Sequence, residues 1–264
     1  MRTASVAARI GPLLLGALFL TASAAVADEV RVMSAGSVAP AYLKLVPLFE
    51  RAKPHQVITL ATSTGVGPEA IVNRVRRGEP VDVIILAAEA LDELIRDGHL
   101  VGGSRVDLVR SRIGVAVRAG APKPDIRTVE GLKRALLDAK SVAYSPQISG
   151  VYLVTELVQR LGIAEQVLPK AQRVERGPVG TVVARGEADL GVQQVSELLA
   201  VPGVDYVGPL PAEVQKISVF SAGIGKNAPS PVAARTFLEY LVSAEAASVM
   251  TAGGLEPIAA RQVR

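Results

Sequence analysis

The 264-residue chain contains no cysteine. That absence excludes disulfides, thiolate metal sites and cysteine nucleophiles together, and with them the cysteine that would carry a lipid tether. Tryptophan is also absent and aromatic residues make up only 3% of the chain, too few for the stacking platforms that hold bases or sugars. There are two histidines, His55 and His99, each beside turn residues and far apart. No G-x-S-x-G occurs, so a secreted hydrolase is a remote alternative, and no metal or other cofactor is expected. Charge is scattered: the formal net value is +4 without runs of either sign, which gives no footprint for nucleic acid.

What is present begins with one apolar run. Arg2 and Arg9 precede and open "IGPLLLGALFL", which is too short to span a bilayer, and "AVA" stands before Asp28. A basic start, a short apolar centre and small residues at a cleavage position read as a secretory signal over residues 1–27. The mature chain is then expected to begin at Asp28 and to reside in a bacterial periplasm, most simply as a monomer.

From Asp28 onward, short apolar runs alternate with helical spacing. Arg31–Ser34 reads as a strand and Ala41 onward as a helix, with Tyr42, Leu43, Val46 and Phe49 on one stripe. "QVITLATSTG" reads as a second strand, followed by a helix over Glu69–Arg77 opened by Pro68 and closed by Gly78. "VDVIILAA" has the continuous apolar character of a strand covered on both faces, with Asp82 as a structural residue at its end. The same alternation predicts a helix over Val129–Asp138, the strand "SVAYS", a helix from about Gly150 to Leu161, and the strand "LGVQQ". Two strand-like runs follow, "DYVGPL" and "KISVFSAGI", and then helices near 231–243 and 245–252. Tyr144, Tyr152 and Tyr206 lie in apolar runs and read as core. Arg176, among glycines and a proline, reads as an exposed loop residue. Strand–helix alternation of this kind predicts an α/β fold.

Ligands in open α/β sheets bind where loops leave the carboxyl ends of strands. Three such loops here pair hydroxyls with glycine before a helix: "SAGS" with Ser37, "TSTG" with Ser63 and Thr64, and "SPQISG" with Ser149. Each offers an O–H, backbone N–H groups and the positive end of a helix dipole to a small anion. Ser37 has a competing role as the N-cap of the helix that follows, and the expectation is that it serves as cap and ligand donor at once. "GVQQ", at the strand leading back between the two halves, adds Gln194.

The runs "SAGSVAPAYLKLVPLFE", "TSTG" with "RRGEPVDVIILAAEALDELIRDG", "SPQISGVYLVTELVQRLGI" and "VARGEADLGV" resemble, in order, successive regions of periplasmic molybdate-binding proteins. This resemblance implies an α/β, two-lobed type II periplasmic-binding-protein fold, each lobe a mostly parallel sheet flanked by helices. Residues 28–110 plus 202–264 are expected to form lobe one and 111–201 lobe two. It further implies a non-enzymatic receptor that binds a molybdate- or tungstate-like oxyanion between the lobes and delivers it to an ABC permease in the inner membrane. The implied contacts are Ser37, Ser63 or Thr64, the backbone near Ser149, and a fourth around Arg176–Gly177. Where the family typically has tyrosine this chain has Gln194, and "GVGPEA" lengthens the second loop. Glutamine both donates and accepts, so the expected ligand widens to a small organic carboxylate or a phosphate-type anion.

Overall fold

The computed structural model describes residues 28–61 and 67–258. The signal reading of residues 1–27, and with it the proposed mature start, concerns a segment outside them; so do Ser63 and Thr64.

The chain opens with β1 (Asp28–Ser34), α1 (Ala39–Ala52), β2 (His55–Thr59), α2 (Ile71–Arg76), β3 (Val83–Ala87), α3 (Ala88–Arg96) and β4 (Val106–Ser111). It continues through β5 (Ile113–Arg118), α4 (Val129–Asp138), β6 (Val142–Tyr144) and a helical run, α5 (Ile148–Tyr152) and α6 (Val158–Arg160) joined by a π-turn over Leu153–Leu157. Then come α7 (Ala164–Val167), β7 (Ala171–Arg173), α8 (Val179–Ala184), β8 (Leu190–Gln194), α9 (Val195–Leu199) and β9 (Val204–Pro209). The described chain closes with β10 (Ser218–Ile224), α10 (Pro231–Leu241), α11 (Ala244–Ala252) and β11 (Glu256–Pro257).

These strands form two sheets, ordered β11-β4-β10-β3-β1-β2 and β7-β6-β8-β5-β9. In the first, β1 runs parallel to β2 and β3, and β10 lies antiparallel between β3 and β4. In the second, β6 is parallel to β7 and β8, whereas β5 is antiparallel to β8 and β9. Helices cover both sheets, each with its own apolar core. The expected two-lobed α/β architecture of helix-flanked sheets is therefore present, but each sheet is mixed rather than mostly parallel, because β10 and β11 in the first and β5 and β9 in the second run antiparallel to their neighbours. One boundary differs from the expectation of 202 onward in lobe one: β9 pairs with β5 from Gly114↔Pro209 to Arg118↔Val204 and belongs to the second sheet. The return crossing therefore lies between Pro209 and Ser218. β9 is half-buried and β10 almost wholly buried, but both read as short apolar runs in the sequence, so composition could not separate them.

Local chemistry accounts for most element positions. β3 is buried at all five residues, as its uninterrupted apolar run requires. Helix α1 packs through Ala41, Tyr42, Leu45 and Phe49; Leu43, expected in that stripe, is 51% exposed and Val46 only half-buried. The helix starts at Ala39 and presents its i, i+4, i+8 row (Ala41, Leu45, Phe49) to the sheet, which turns Leu43 outward. Tyr42, Phe49, Phe237 and Tyr240 form an edge-packed aromatic cluster beneath it.

Asp82 is wholly buried, and its carboxylate accepts the backbone N–H of Arg31 at 2.8 Å and of Ser230 at 2.6 Å. It ties β1 to the segment that opens α10. Removing it orphans two N–H donors, each worth about 1–3 kcal/mol when left unpaired. Asp82→Ala is expected to lower stability by about 2–4 kcal/mol in urea unfolding. Asp82→Asn, which keeps one acceptor oxygen, should cost distinctly less.

Candidate functional site between the lobes

Two segments join the lobes: Arg112, between β4 and β5, and residues 210–217, between β9 and β10. Glutamine side chains brace both. Gln215 accepts from the Ile113 N–H and donates to the Ile113 carbonyl, both at 2.9 Å. Gln194, at the end of β8, accepts from Ser111 Oγ at 2.7 Å and lies 3.5 Å from Ser218 Oγ. A single amide thus spans the ends of both crossing strands. All three groups are buried.

Above this brace, between the two sheets, lies a cavity of about 160 Å³. Its polar lining is neutral: Ser37 from the β1–α1 loop, Gln147 and Ser149 at the start of α5, and Gln194. Its apolar lining comes from Val72, Leu86, Ala87, Ala90, Ile148 and Phe220. Of the sequence-derived candidates, the fold brings Ser37, Ser149 and Gln194 together here. Arg176 is exposed in the β7–α8 loop and does not line the cavity. Larger hollows of about 840 and 820 Å³ lie on lobe two and beside the second crossing. They are open to solvent and lined partly by charged side chains already paired, such as Asp125 with Arg127.

Ser37 is not a helix cap. The N-cap of α1 is Val38, without any side-chain capping bond. The Ser37 hydroxyl instead lies 3.3 Å from Glu197 Oε2, 160 positions away, and the Ser37 carbonyl accepts from Ser196 Oγ at 2.6 Å. These contacts join the β1–α1 loop of lobe one to α9. Gly36 eases the approach, since a Cβ there would crowd Glu197 Oε1 at 3.0 Å.

Ser149 is 1% exposed and its Oγ has no hydrogen-bond partner among the described residues. It sits in the first helical turn after Gln147, where backbone N–H groups also lack intrahelical acceptors. A buried hydroxyl without a partner is costly, and here it lines the cavity. Gly150 lets this turn close on the preceding loop, because a Cβ would meet the Ser145 carbonyl at 1.8 Å.

Glu197 was not among the residues singled out from sequence. Its one signal is that no other charged residue occurs between Asp189 and Asp205. Its carboxyl is buried, with Ser37 on one oxygen and Gln193 Nε2 at 2.9 Å on the other. Burial pushes its pKa up to about 7, against the opposing pull of those two hydrogen bonds. A carboxyl whose folded pKa is raised ionises in the unfolded chain first, so stability is lost as pH rises through the window from about 4.5 to about 7. The loss is on the order of 3 kcal/mol. Wild type should lose that much more than Glu197→Gln between pH 4.5 and 7.5 in denaturant titrations, and parallel curves would show that Glu197 does not carry the pH dependence.

Comparison with known proteins fits this architecture. A family model described as "bacterial extracellular solute-binding protein" matches residues 30–256. A relative from Pseudomonas sp named aconitate isomerase is 42% identical over 258 residues, covering 96% of this chain and 98% of its own. A molybdate-binding protein of Escherichia coli is 26% identical over 247 residues, covering 88% and 91%. Among solved structures, the periplasmic molybdate-binding protein of Azotobacter vinelandii superposes with a TM-score of 0.71 at 22% identity, covering 86% of this chain and 98% of that one. The resemblance seen in the sequence thus holds at the level of fold, and the chain belongs to the bacterial extracellular solute-binding proteins.

Proposed function

We propose that this protein holds a small organic polycarboxylate of the aconitate class between its lobes and interconverts its isomers. The observation that carries the reading is the two-sided cavity: hydroxyl and amide donors on one part, and Phe220, Leu86, Val72 and Ile148 on another. A carbon skeleton with carboxylates uses both surfaces, whereas a bare tetrahedral oxyanion uses only the donors. The full-length likeness to a protein named aconitate isomerase supports the same choice. Molybdate or tungstate, the ligand implied by the resemblance in the sequence, is the competitor.

Isomerisation of such an alkene requires temporary loss of its double bond at the original position. Net, the interconversion moves one proton from the methylene carbon beside the alkene to the far alkene carbon and shifts the double bond by one position. No electrons leave the substrate, so no redox partner is needed. The shared fold and the two-crossing hinge support a second reading, in which the protein only delivers the same ligand to an ABC permease. In either case the lobes would close around the bound molecule.

Two measurements test these readings. Calorimetry should show binding of cis- or trans-aconitate in preference to molybdate, tungstate, sulfate and phosphate; preference for molybdate would overturn the carboxylate assignment. Proton NMR of cis-aconitate with catalytic protein should show the trans isomer accumulating, and tight binding without conversion would leave the receptor reading. Ser149→Ala removes one donor to a charged group, worth about 1.5–3 kcal/mol. Affinity should fall about 10- to 150-fold, with the melting temperature little changed.

A further inference from the structure

The pairing of Ser37 with Glu197 has a chemical consequence for any anion in the cleft. Ser37 lines the cavity, and Glu197 stands behind it, 3.3 Å from its hydroxyl and outside the lining. A hydroxyl has one proton to donate. While Glu197 is ionised it can only accept, so the Ser37 proton is drawn toward it and lone pairs face the cavity. An anion meeting those lone pairs is repelled. Once Glu197 is protonated it becomes the donor, and the Ser37 proton is released to point into the cleft.

We infer that Glu197 acts as a positioning residue that sets the direction of the Ser37 hydroxyl, so that anion binding in this cleft is accompanied by uptake of one proton at Glu197. The inference rests on the reading that the anion occupies this cavity. It deepens that reading by making the protein a proton-coupled binder.

The surroundings leave Glu197 free to take this role. The elements packed on α9 bring no charged side chain to the carboxyl. β8 and α8 contain no ionisable residue. On β5, Arg118 lies against Gly186; on β9, Asp205 accepts from the Gly120 N–H, and Tyr206 packs against Gly114. On α1, Glu50 accepts from the Val57 N–H, while Lys44 and Arg51 are exposed. The partners of the carboxyl are therefore the neutral groups of Ser37 and Gln193. Its folded pKa of about 7 makes the proton available in the range where the protein would work.

The sign follows from linkage. Below the free-state pKa of Glu197 the proton is already present and affinity is flat with pH. Above it each binding event must recruit a proton, and Kd rises by about tenfold per pH unit. Calorimetry of trans-aconitate from pH 6 to 8.5, in two buffers of different ionisation enthalpy, should show this slope and a proton uptake that rises from near zero at pH 6 toward one at pH 8.5. Glu197→Gln retains a group that can donate to Ser37, and should bind with a flat profile near the low-pH wild-type affinity. Ser37→Ala should bind more weakly and also lose the slope. Ionisation of the anion itself is common to all three proteins and cancels in the comparison.

An undiminished slope in Glu197→Gln overturns the inference. So does a slope retained in Ser37→Ala, which would mean direct repulsion between carboxylate and anion rather than coupling through the hydroxyl. Carbon-13 NMR of the Glu197 carboxyl in the ligand-free protein gives an independent reading. A titration near neutrality is expected, and one in the ordinary carboxylate range overturns the inference. If trans-aconitate gives no heat, the carboxylate reading fails on its own; the carboxyl titration still decides whether Glu197 holds a proton to share.

Discussion

The geometry of the cleft depends on how the two crossing segments are braced. One is a single residue, Arg112, and the other runs from 210 to 217. Gln215 clasps both backbone groups of Ile113, and Gln194 bridges toward Ser111 and Ser218. Glutamine suits this position because its one side chain offers both a donor and an acceptor to the ends of different strands. Buried amides of this kind are stable only when fully partnered. The ends of both crossings are thereby tied together at the floor of the cavity, which Gln194 itself lines.

On the cleft side of the brace, α9 and the β1–α1 loop meet without any charge pair. A buried carboxyl is normally matched by a cation, because desolvation disfavours its ionised form. Here Glu197 has a serine hydroxyl and a glutamine amide instead. Two neutral donors offset desolvation only in part, and the carboxyl remains a stronger base than a surface glutamate. The same absence of charge characterises the cavity, whose lining among the described residues includes no Lys, Arg, Asp or Glu.

Periodicity and breakers made the α/β fold readable, and several elements fall where spacing puts them: α4 spans Val129–Asp138 and β8 spans Leu190–Gln194. The strands after residue 201 were visible and β10 fell in the expected sheet, but β9 was not separated from it, because partner choice is a long-range property that no local window carries. For the same reason Ser37 read as a cap. Its local context is that of a helix start, and the carboxyl that engages it is 160 positions away. Glu197 itself sits in a five-residue helix with one exposed flank, Leu199, and nothing in its immediate sequence distinguishes it from a solvated charge. The serines and Gln194 were legible because loops after strands in such sheets converge by topology.

The place of the return crossing also bears on how the chain assembles. Among the described residues, the core of the second sheet is built from those between Ile113 and Val214, one unbroken stretch. The first combines Val30 and Phe49 with Phe237 and Met250, from opposite ends of the chain. Its strand β10 lies between β3 and β4, so until Ser218–Ile224 has been made, β3 has one unpaired edge and β4 has no neighbour in the growing sheet. During vectorial synthesis or passage across a membrane, the second lobe can condense as soon as its stretch emerges, whereas the first must wait for contacts of high sequence separation. The apolar β3, buried on every residue in the finished protein, is the segment most in need of protection during that interval.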